Sequence, residues 1–448
     1  MFATGPTFWP VLAQTTMRDV ALFYGVYFFV FVGFMVMIQA LRLMARRAML
    51  RGQTEAALIW YDRLWFLFGP AVRKEIKPQL QINLAIVHAS TGNRGRAQVL
   101  LNDARRGARK LKTPELLIQA CVVAARLFEE EANPDMAWRA LCEAKTAAET
   151  DHRKPGLISI LQRIAEIQGR RGLAEDSLNT WHALRRLADS REEHGVAILA
   201  LTHLGRAAYE DGQWDSAEES FSEAVSRARQ HHCRDRSAIL AYVLFGRIAL
   251  QRGRYELARG YLAEAASLAR KRGEARLECS ALTELGRLYV ENGRYKNAME
   301  TLAEAETIAT QTTDLARQAM VAQVQGDAYL QSDSVSAARV HYERAESLLS
   351  HAPLPHTELL VRTGLALIQC EEGDAAGAIE ALVATSQSAE KEHAAFERVC
   401  IYDALGLVHA KAGMGDEAQA WTAEAHILRA QLGIEAAISD QYRHRRAG

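Results

Sequence analysis

Three columns of small residues recur at a 40-residue spacing through most of this 448-residue chain, and they leave it little choice of fold. The first column is Ala45, Ala85, Ala125, Ala165, Gly205, Gly246, Gly286, Gly326, Ala366 and Gly406. Seven residues later come Gly52, Gly92, Ala132, Gly172, Gly212, Gly253, Gly293, Asp333, Gly373 and Gly413. Twelve after the first come Ala57, Ala97, Ala137, Ser177, Ala217, Ala258, Ala298, Ala338, Ala378 and Ala418. One step, from Gly205 to Gly246, is 41 residues, and the extra residue is expected in a connecting loop near "RQHHCRDR". Self-similarity at a fixed period marks a repeat architecture.

The clearest units are "LGRAAYEDGQWDSAEESFSEA" (204–224), "FGRIALQRGRYELARGYLAEA" (245–265) and "LGRLYVENGRYKNAMETLAEA" (285–305). Each has a small residue, a Gly, an aromatic, an Ala, a large residue and another Ala. Two short helices joined by a tight turn produce this order. Small residues sit where the helices cross closely, and Gly serves the turn. Only nine prolines are present and β-branched residues are sparse, which favours helix nearly everywhere. A single hairpin cannot bury its apolar face alone, so neighbours must stack. The predicted fold class is all-α: an N-terminal transmembrane helix running into an α-solenoid of about ten hairpins. Its parts are an extracytoplasmic 1–19, a membrane helix 20–41, a solenoid 42–432 and a capping segment 433–448.

The small residue, the Gly, the aromatic (Trp214, Tyr255, Tyr295), the Ala, the bulky residue and the second Ala fall where the tetratricopeptide motif places them. Over about residues 38–432 the chain resembles that family, with a period longer than the usual 34 or so and without the proline that commonly closes a unit. In both respects it is similar to the long repeats of kinesin light chains and spindle-orienting adaptors. The resemblance implies a right-handed superhelix with a concave groove lined mainly by first helices. In this family the residue after the first small position tends to face that groove; here it is Arg206, Arg247 and Arg287, with Thr202, Thr283 and Tyr209 on the same faces. Arginine's fixed fork of donors suits carboxylates. The groove is therefore expected to hold a protein or peptide partner that is acidic, unless the arginines pair with neighbours such as Glu210 and Glu291. The same column later holds Asp327, Leu367 and Leu407, an end suited to something more apolar or to a cap.

Residues 20–41, "VALFYGVYFFVFVGFMVMIQAL", carry no charge and one polar group, Gln39. About 20 such residues in a helix cross a bilayer. Arg42, Arg46, Arg47 and Arg51 follow the run and only Arg18, beside Asp19, precedes it. That order opposes a cleaved signal peptide and puts the N-terminus outside and the repeat domain in the cytoplasm. No Gly lies between Gly33 and Gly52, and no Pro, so one helix is expected to leave the bilayer and become the first helix of repeat one. Trp60 and Trp65 are expected at the headgroups or in an N-terminal cap. Residues 42–112 hold 15 Lys and Arg against 4 Asp and Glu, a balance that suits anionic lipid headgroups. The contributors include Lys74, Lys77, Arg94, Arg96, Arg105, Arg106, Arg109 and Lys110. A net charge of zero argues against nucleic acid. One small-xxx-small pair, Ala21 and Gly25, leaves a homo- or hetero-oligomer open.

Signatures of chemistry are missing from the sequence. Six cysteines are scattered without a CxxC. There is no phosphate-binding glycine loop, dinucleotide fingerprint, H-E-x-x-H or G-x-S-x-G. "HHC" at His231–Cys233 lacks a second ligand cluster and fits a solvated loop. No catalytic residue, metal or cofactor is predicted, and the chain is not expected to be an enzyme. The expected function is a membrane-anchored scaffold or adaptor that recruits protein partners; the alternative is a permanent structural subunit of a large envelope complex for secretion, motility or polarity. Arg outnumbers Lys 44 to 10, which suits a GC-rich bacterial genome and places the protein in a bacterial inner membrane.

Overall fold

A computed structural model describes residues 36–37, 39–41, 43–45, 47–48, 51, 53–68, 76–150 and 156–434. Among these, a helical stretch within 36–48 is followed by nineteen further helices, without a strand. The chain divides into two compact units, Met1–Ser177 and Leu178–Gly448. The first holds α1 (Thr54–Phe68), α2 (Lys77–Ser90), α3 (Arg94–Leu111), α4 (Pro114–Glu130), α5 (Pro134–Thr150), α6 (Leu157–Arg170) and the start of α7 (Ala174–Ser190). The second holds the rest of α7, then α8 (His194–Glu210), α9 (Trp214–Gln230), α10 (Arg236–Gln251), α11 (Tyr255–Arg272), α12 (Ala275–Glu291) and α13 (Tyr295–Gln311). It continues with α14 (Leu315–Gln331), α15 (Val335–Leu349), α16 (Pro355–Glu371), α17 (Ala375–Lys391), α18 (Ala395–Lys411) and α19 (Gly415–Leu432).

The 40-residue period has a backbone origin. In repeat seven, α12 and α13 are each 17 residues, and three-residue links set the rest of the interval. Every described link inside a hairpin places its middle residue at positive φ, from 54° at Ala132 to 99° at Gly373. The amides beyond each helix then turn back onto its last carbonyls: Gly253 N donates to Leu250 O at 2.9 Å and Arg254 N to Ala249 O at 2.8 Å. This left-handed closure satisfies carbonyls that the helix leaves orphaned. Gly has no Cβ to oppose it, hence the second column; Ala132 (φ 54°) and Asp333 (φ 59°) hold the same conformation at a steric cost. The links between hairpins use the same closure at Lys112, Glu192, His232, Gly273, Thr313 and His393, and Gly433 closes the last helix in the same way; the link after Leu349 does not use it. The extra residue of the 41-residue step lies in the five-residue link His231–Asp235, as expected, where Asp235 caps α10 by accepting from Ala238 N at 3.1 Å.

The first and third columns form the crossing surface of each hairpin. Ala45, Ala85, Ala125, Ala165 and Ala366 are buried, as are Gly205, Gly246, Gly286, Gly326 and Gly406. Opposite four of these glycines stands a large side chain sixteen residues on, and opposite Gly406 stands Thr422. A Cβ on Gly205 would lie 2.7 Å from Phe221, on Gly246 2.6 Å from Leu262, on Gly286 2.5 Å from Leu302 and on Gly326 2.7 Å from Tyr342. Glycine is required there by close approach, not by a turn. The third column is buried throughout, and its one polar member, Ser177, donates its hydroxyl to Ala165 O at 2.9 Å. Ion pairs bridge successive repeats on both helix layers: Arg185–Glu223 at 2.8 Å between second helices and Arg163–Glu129 at 2.6 Å between first helices.

At the N-terminal end, the described residues among 36–48 are helical, and no described helix is long and apolar enough to cross a membrane. Most of the segment 20–41, with Arg42, Arg46, the Trp65 side chain and residues 435–448, lies outside the described residues. Ala45 is fully buried and in phase with the array, so repeat one begins where the period requires. Two members of the basic set are taken up internally: Arg109 donates to Glu143 Oε1 at 2.8 Å, and Arg105 pairs with the same carboxylate.

Two stability measurements test this register. Enlarging buried Ala298 by Ala298→Leu should cost about 1–3 kcal/mol through overpacking; an unchanged urea midpoint would mean that the third column is not at the crossing. Gly212→Ala should cost about 1 kcal/mol through backbone strain alone, since φ is 74° there and nothing lies within 4 Å of the added Cβ. The reverse change, Ala132→Gly, should be neutral to stabilising, and a clear loss there would contradict the turn assignment.

Candidate functional site

Repeat interiors are consumed by packing, so a site has to be built from side chains that point away from the crossing. In the second unit these come mainly from first helices. The unit curves until α18 meets its beginning. Val399 of α18, with Leu432 and Ile434, joins the same core as Ile198, Leu201 and Val324. Phe396 stacks on Trp214 at 6.1 Å between ring centroids, and Tyr209 stacks on the same indole at 5.2 Å. His356 Nδ1 lies 3.2 Å from Glu397, whose carboxylate raises the imidazole's pKa against the effect of burial. Arg252 is buried, gripping Asp215 at 2.7 Å and Glu218 at 2.5 Å, and its guanidinium lies beside Gly433 at the end of α19.

The curvature encloses a cavity of about 650 Å³ between α12, α14, α16, α18 and α19. Its walls are apolar: Leu330, Leu360, Leu367, Phe396 and Leu407, with small residues between them. Tyr342 stands between Gly326 and Gly364 and donates its hydroxyl to Asp327 Oδ1 at 2.6 Å. One end is polar and is formed by Arg287, Glu291, Gln323, Asp327, Cys400 and Asp403. Asp327 also accepts from Gln323 Nε2 at 2.5 Å; burial raises its pKa, although Arg287 pulls the other way. Burial likewise lifts Glu291 to about 7, opposed by Arg287 and reinforced by Asp327. Cys400 is held as a neutral thiol, first by burial and then by the surrounding carboxylates. Asp403 pairs with Arg429, a buried residue of α19.

The arginine column behaves differently from a free row of forks. Arg206 is exposed and lies 3.7 Å from Glu210, the pairing expected from its neighbour. Arg247 donates its Nε to Glu284 Oε1 at 2.8 Å in the next repeat. Arg287 donates to Gln323 Oε1 at 2.9 Å and sits 3.5 Å from Glu284 and 3.6 Å from Asp327. Burial opposes its charge, but those two carboxylates outweigh the cost and raise its pKa. Two of the three guanidinium groups are thus committed to carboxylates of this chain, and Glu291 is not the partner of Arg287. Thr202 and Thr283 lie in the interior, where their hydroxyls donate to Ile198 O at 2.6 Å and Cys279 O at 2.8 Å. Tyr209 is partly buried at the closure, and burial raises its phenol's pKa.

At the other candidate surface, Arg47 and Arg51 are exposed and Trp60 is half-buried, with the Arg63 guanidinium 5.3 Å from its ring centre. His231 stacks on His194 at 3.4 Å, and no group of residues able to hold a metal ion occurs among the described residues. Sequence reasoning missed Glu284, the buried carboxylate that absorbs Arg247 and part of Arg287. Its signal was an acid in a column whose other members are Leu43, Asn83, Val123, Arg163, His203, Leu244, Val324, Gly364 and Ala404, none of them acidic. By contrast Asp327, Leu367 and Leu407, singled out as a change in groove chemistry, all line the cavity.

Residues 280–312 match the model of the tetratricopeptide repeat family. Comparison with curated protein sequences gives no match. Among solved structures, the apo form of RapI aligns at a TM-score of 0.52 and 10% identity, covering 80% of this chain and 99% of that one. Aspartyl phosphate phosphatase F from Bacillus subtilis aligns at 0.51 and 12%, covering 82% and 98%. The apo quorum sensor NprR from B. thuringiensis aligns at 0.51 and 12%, covering 78% and 97%. At this identity the likeness is one of fold, and the fold is that of tetratricopeptide-like helical repeats.

Proposed function

We propose that this chain is a non-enzymatic scaffold, anchored in a membrane by its N-terminal apolar segment, whose inner helix face holds a protein partner at the cytoplasmic side. The observation that carries the reading is the division of labour within each repeat. The crossing columns are spent on packing, and chemical variety is left to the inner face of the second unit, where a large apolar cavity is kept open. Solenoids of stacked hairpins offer such faces as extended binding surfaces. Because Arg247 and Arg287 are engaged with Glu284 and Asp327, the partner gains more from apolar contact than from ion pairs with the arginine column. This revises the acidic partner expected from the column alone.

The first hairpin supports the anchor. Val36, Met37, Leu43, Met44 and Ile59 are exposed while Ala45 and Ala48 are buried, so one face of that helix packs and another stays apolar and uncovered. Arg47 and Arg51 are exposed nearby. An apolar face flanked by arginines suits a helix leaving lipid for water.

The test uses full-length protein in cells. A photo-crosslinking residue placed at Leu367 or Leu407 should capture one membrane-fraction protein that the same residue at exposed Val340 does not. A chain lacking residues 20–41 should leave the membrane fraction. Equal capture from both kinds of position would contradict the inner-face reading, and membrane retention of the truncated chain would contradict the anchor.

A further inference from the structure

The cavity raises a question that partner recruitment leaves open: what could fill it? Its volume of about 650 Å³ lies in the range of small-molecule sites. The walls demand an apolar body. The polar end decides the head group, and the decision follows from which donors and acceptors are already used.

Donors for an anion are few there and stand among acids: Arg287 donates to Gln323 at 2.9 Å with Glu284 and Asp327 at 3.5 and 3.6 Å beside it, and the other N–H groups of the lining side chains belong to Gln323, Gln331, Gln419 and His426. The Tyr342 hydroxyl is given to Asp327 at 2.6 Å. The hydroxyls of Thr363 and Thr422 donate to carbonyls of their own helices, Leu359 O at 2.8 Å and Ala418 O at 2.7 Å. Among the lining residues only Arg287 and the exposed His426 can carry positive charge, against Glu291, Asp327 and Asp403. Asp327 and Asp403 have partners. Glu291 is the exception: it lines the cavity, half-buried, and no hydrogen bond or ion pair reaches it among the described residues.

We infer that this cavity binds a small apolar molecule carrying a single ammonium group, with the Glu291 carboxylate as its counter-ion. A neutral apolar ligand would further dehydrate Glu291 with nothing in return, and a carboxylate would face three acidic groups. An ammonium supplies both the donors and the charge that Glu291 lacks. This inference shares its cavity with the scaffold reading but is tested apart from it, since ligand titration of the isolated protein does not depend on capture of a protein partner.

The inference implies a pH dependence of defined sign. Glu291 of the empty site, lifted to about 7, is substantially protonated at neutral pH. A cation binds the ionised form, so its affinity should rise as pH is raised through 7 and level off above. The groups facing Glu291 are Arg287 on its own helix, Asp327 of α14, Cys400 and Asp403 of α18, and His426 of α19. Replacing Glu291 separates its contribution from those of these neighbours.

The experiment titrates phenylbutylamine, phenylbutanol and phenylbutyrate, which share one apolar body, into full-length protein in lipid nanodiscs by calorimetry. At pH 8 the amine should bind roughly tenfold or more tighter than the alcohol, as a charge-assisted contact provides, and the carboxylate weakest. Glu291→Gln should bring the amine to the alcohol's affinity, leave the alcohol unchanged and remove the pH dependence. The inference fails if the carboxylate binds best, if the amine's advantage survives Glu291→Gln, or if the amine does not saturate. It fails too if Glu291→Gln lowers the melting temperature by several degrees, because Glu291 would then be committed to the fold.

Discussion

The contact of a glycine or alanine with a large side chain sixteen residues later is what the rest of the structure depends on. Where Gly246 meets Leu262, or Gly286 meets Leu302, no Cβ fits, so the helices approach until backbone touches side chain. That approach buries Leu262 and Leu302 completely, along with Ala258 and Ala298 beside them. A fully buried leucine contributes roughly 1.5–3 kcal/mol relative to an exposed one. Gly in mid-helix sacrifices about 1 kcal/mol of helix propensity. Packing wins, and the same bargain is struck once per repeat. Tyr342 carries it furthest, sitting against two glycines, Gly326 and Gly364, with its hydroxyl placed on Asp327 at the cavity wall.

The hairpin columns and the turn inside each hairpin were legible because steric necessity writes itself as Gly or Ala. Most described links between hairpins use the same left-handed closure and were not legible. Lys112, Glu192, His232, Thr313 and His393 adopt it at φ near 50–57° without glycine, so no composition marks them. The membrane expectation rests on residues 20–41, which lie mostly outside the described residues, and the exposed apolar side chains of the first hairpin bear on it only from the near side.

Charge was the harder part to read. A column of arginines looks like a binding ladder, yet a guanidinium on a concave face has acidic neighbours one repeat away that sequence adjacency does not reveal. Arg247 meets Glu284 only because adjacent repeats stack in register. The closure of the second unit was invisible for a related reason: Trp214 and Phe396 belong to repeats far apart in the chain, and nothing periodic joins them. Legibility ended where contacts ceased to be periodic, and the cavity is made largely of such contacts. It is nonetheless foreshadowed by the change from arginine to Asp327, Leu367 and Leu407 in the groove column.

The central claim is that interlock between the first helix and a large residue of the second sets the geometry of every hairpin. A double-mutant cycle on Gly246→Ala and Leu262→Ala tests it most directly, because helix propensity and transfer free energy cancel in the coupling term. A Cβ on Gly246 would lie 2.6 Å from Leu262 Cγ, so the account predicts that the alanine at 246 is relieved when Leu262 is shortened, with a coupling of about 1 kcal/mol or more. Additive effects of the two changes, within about 0.3 kcal/mol, would show that the two side chains do not meet and would contradict the account.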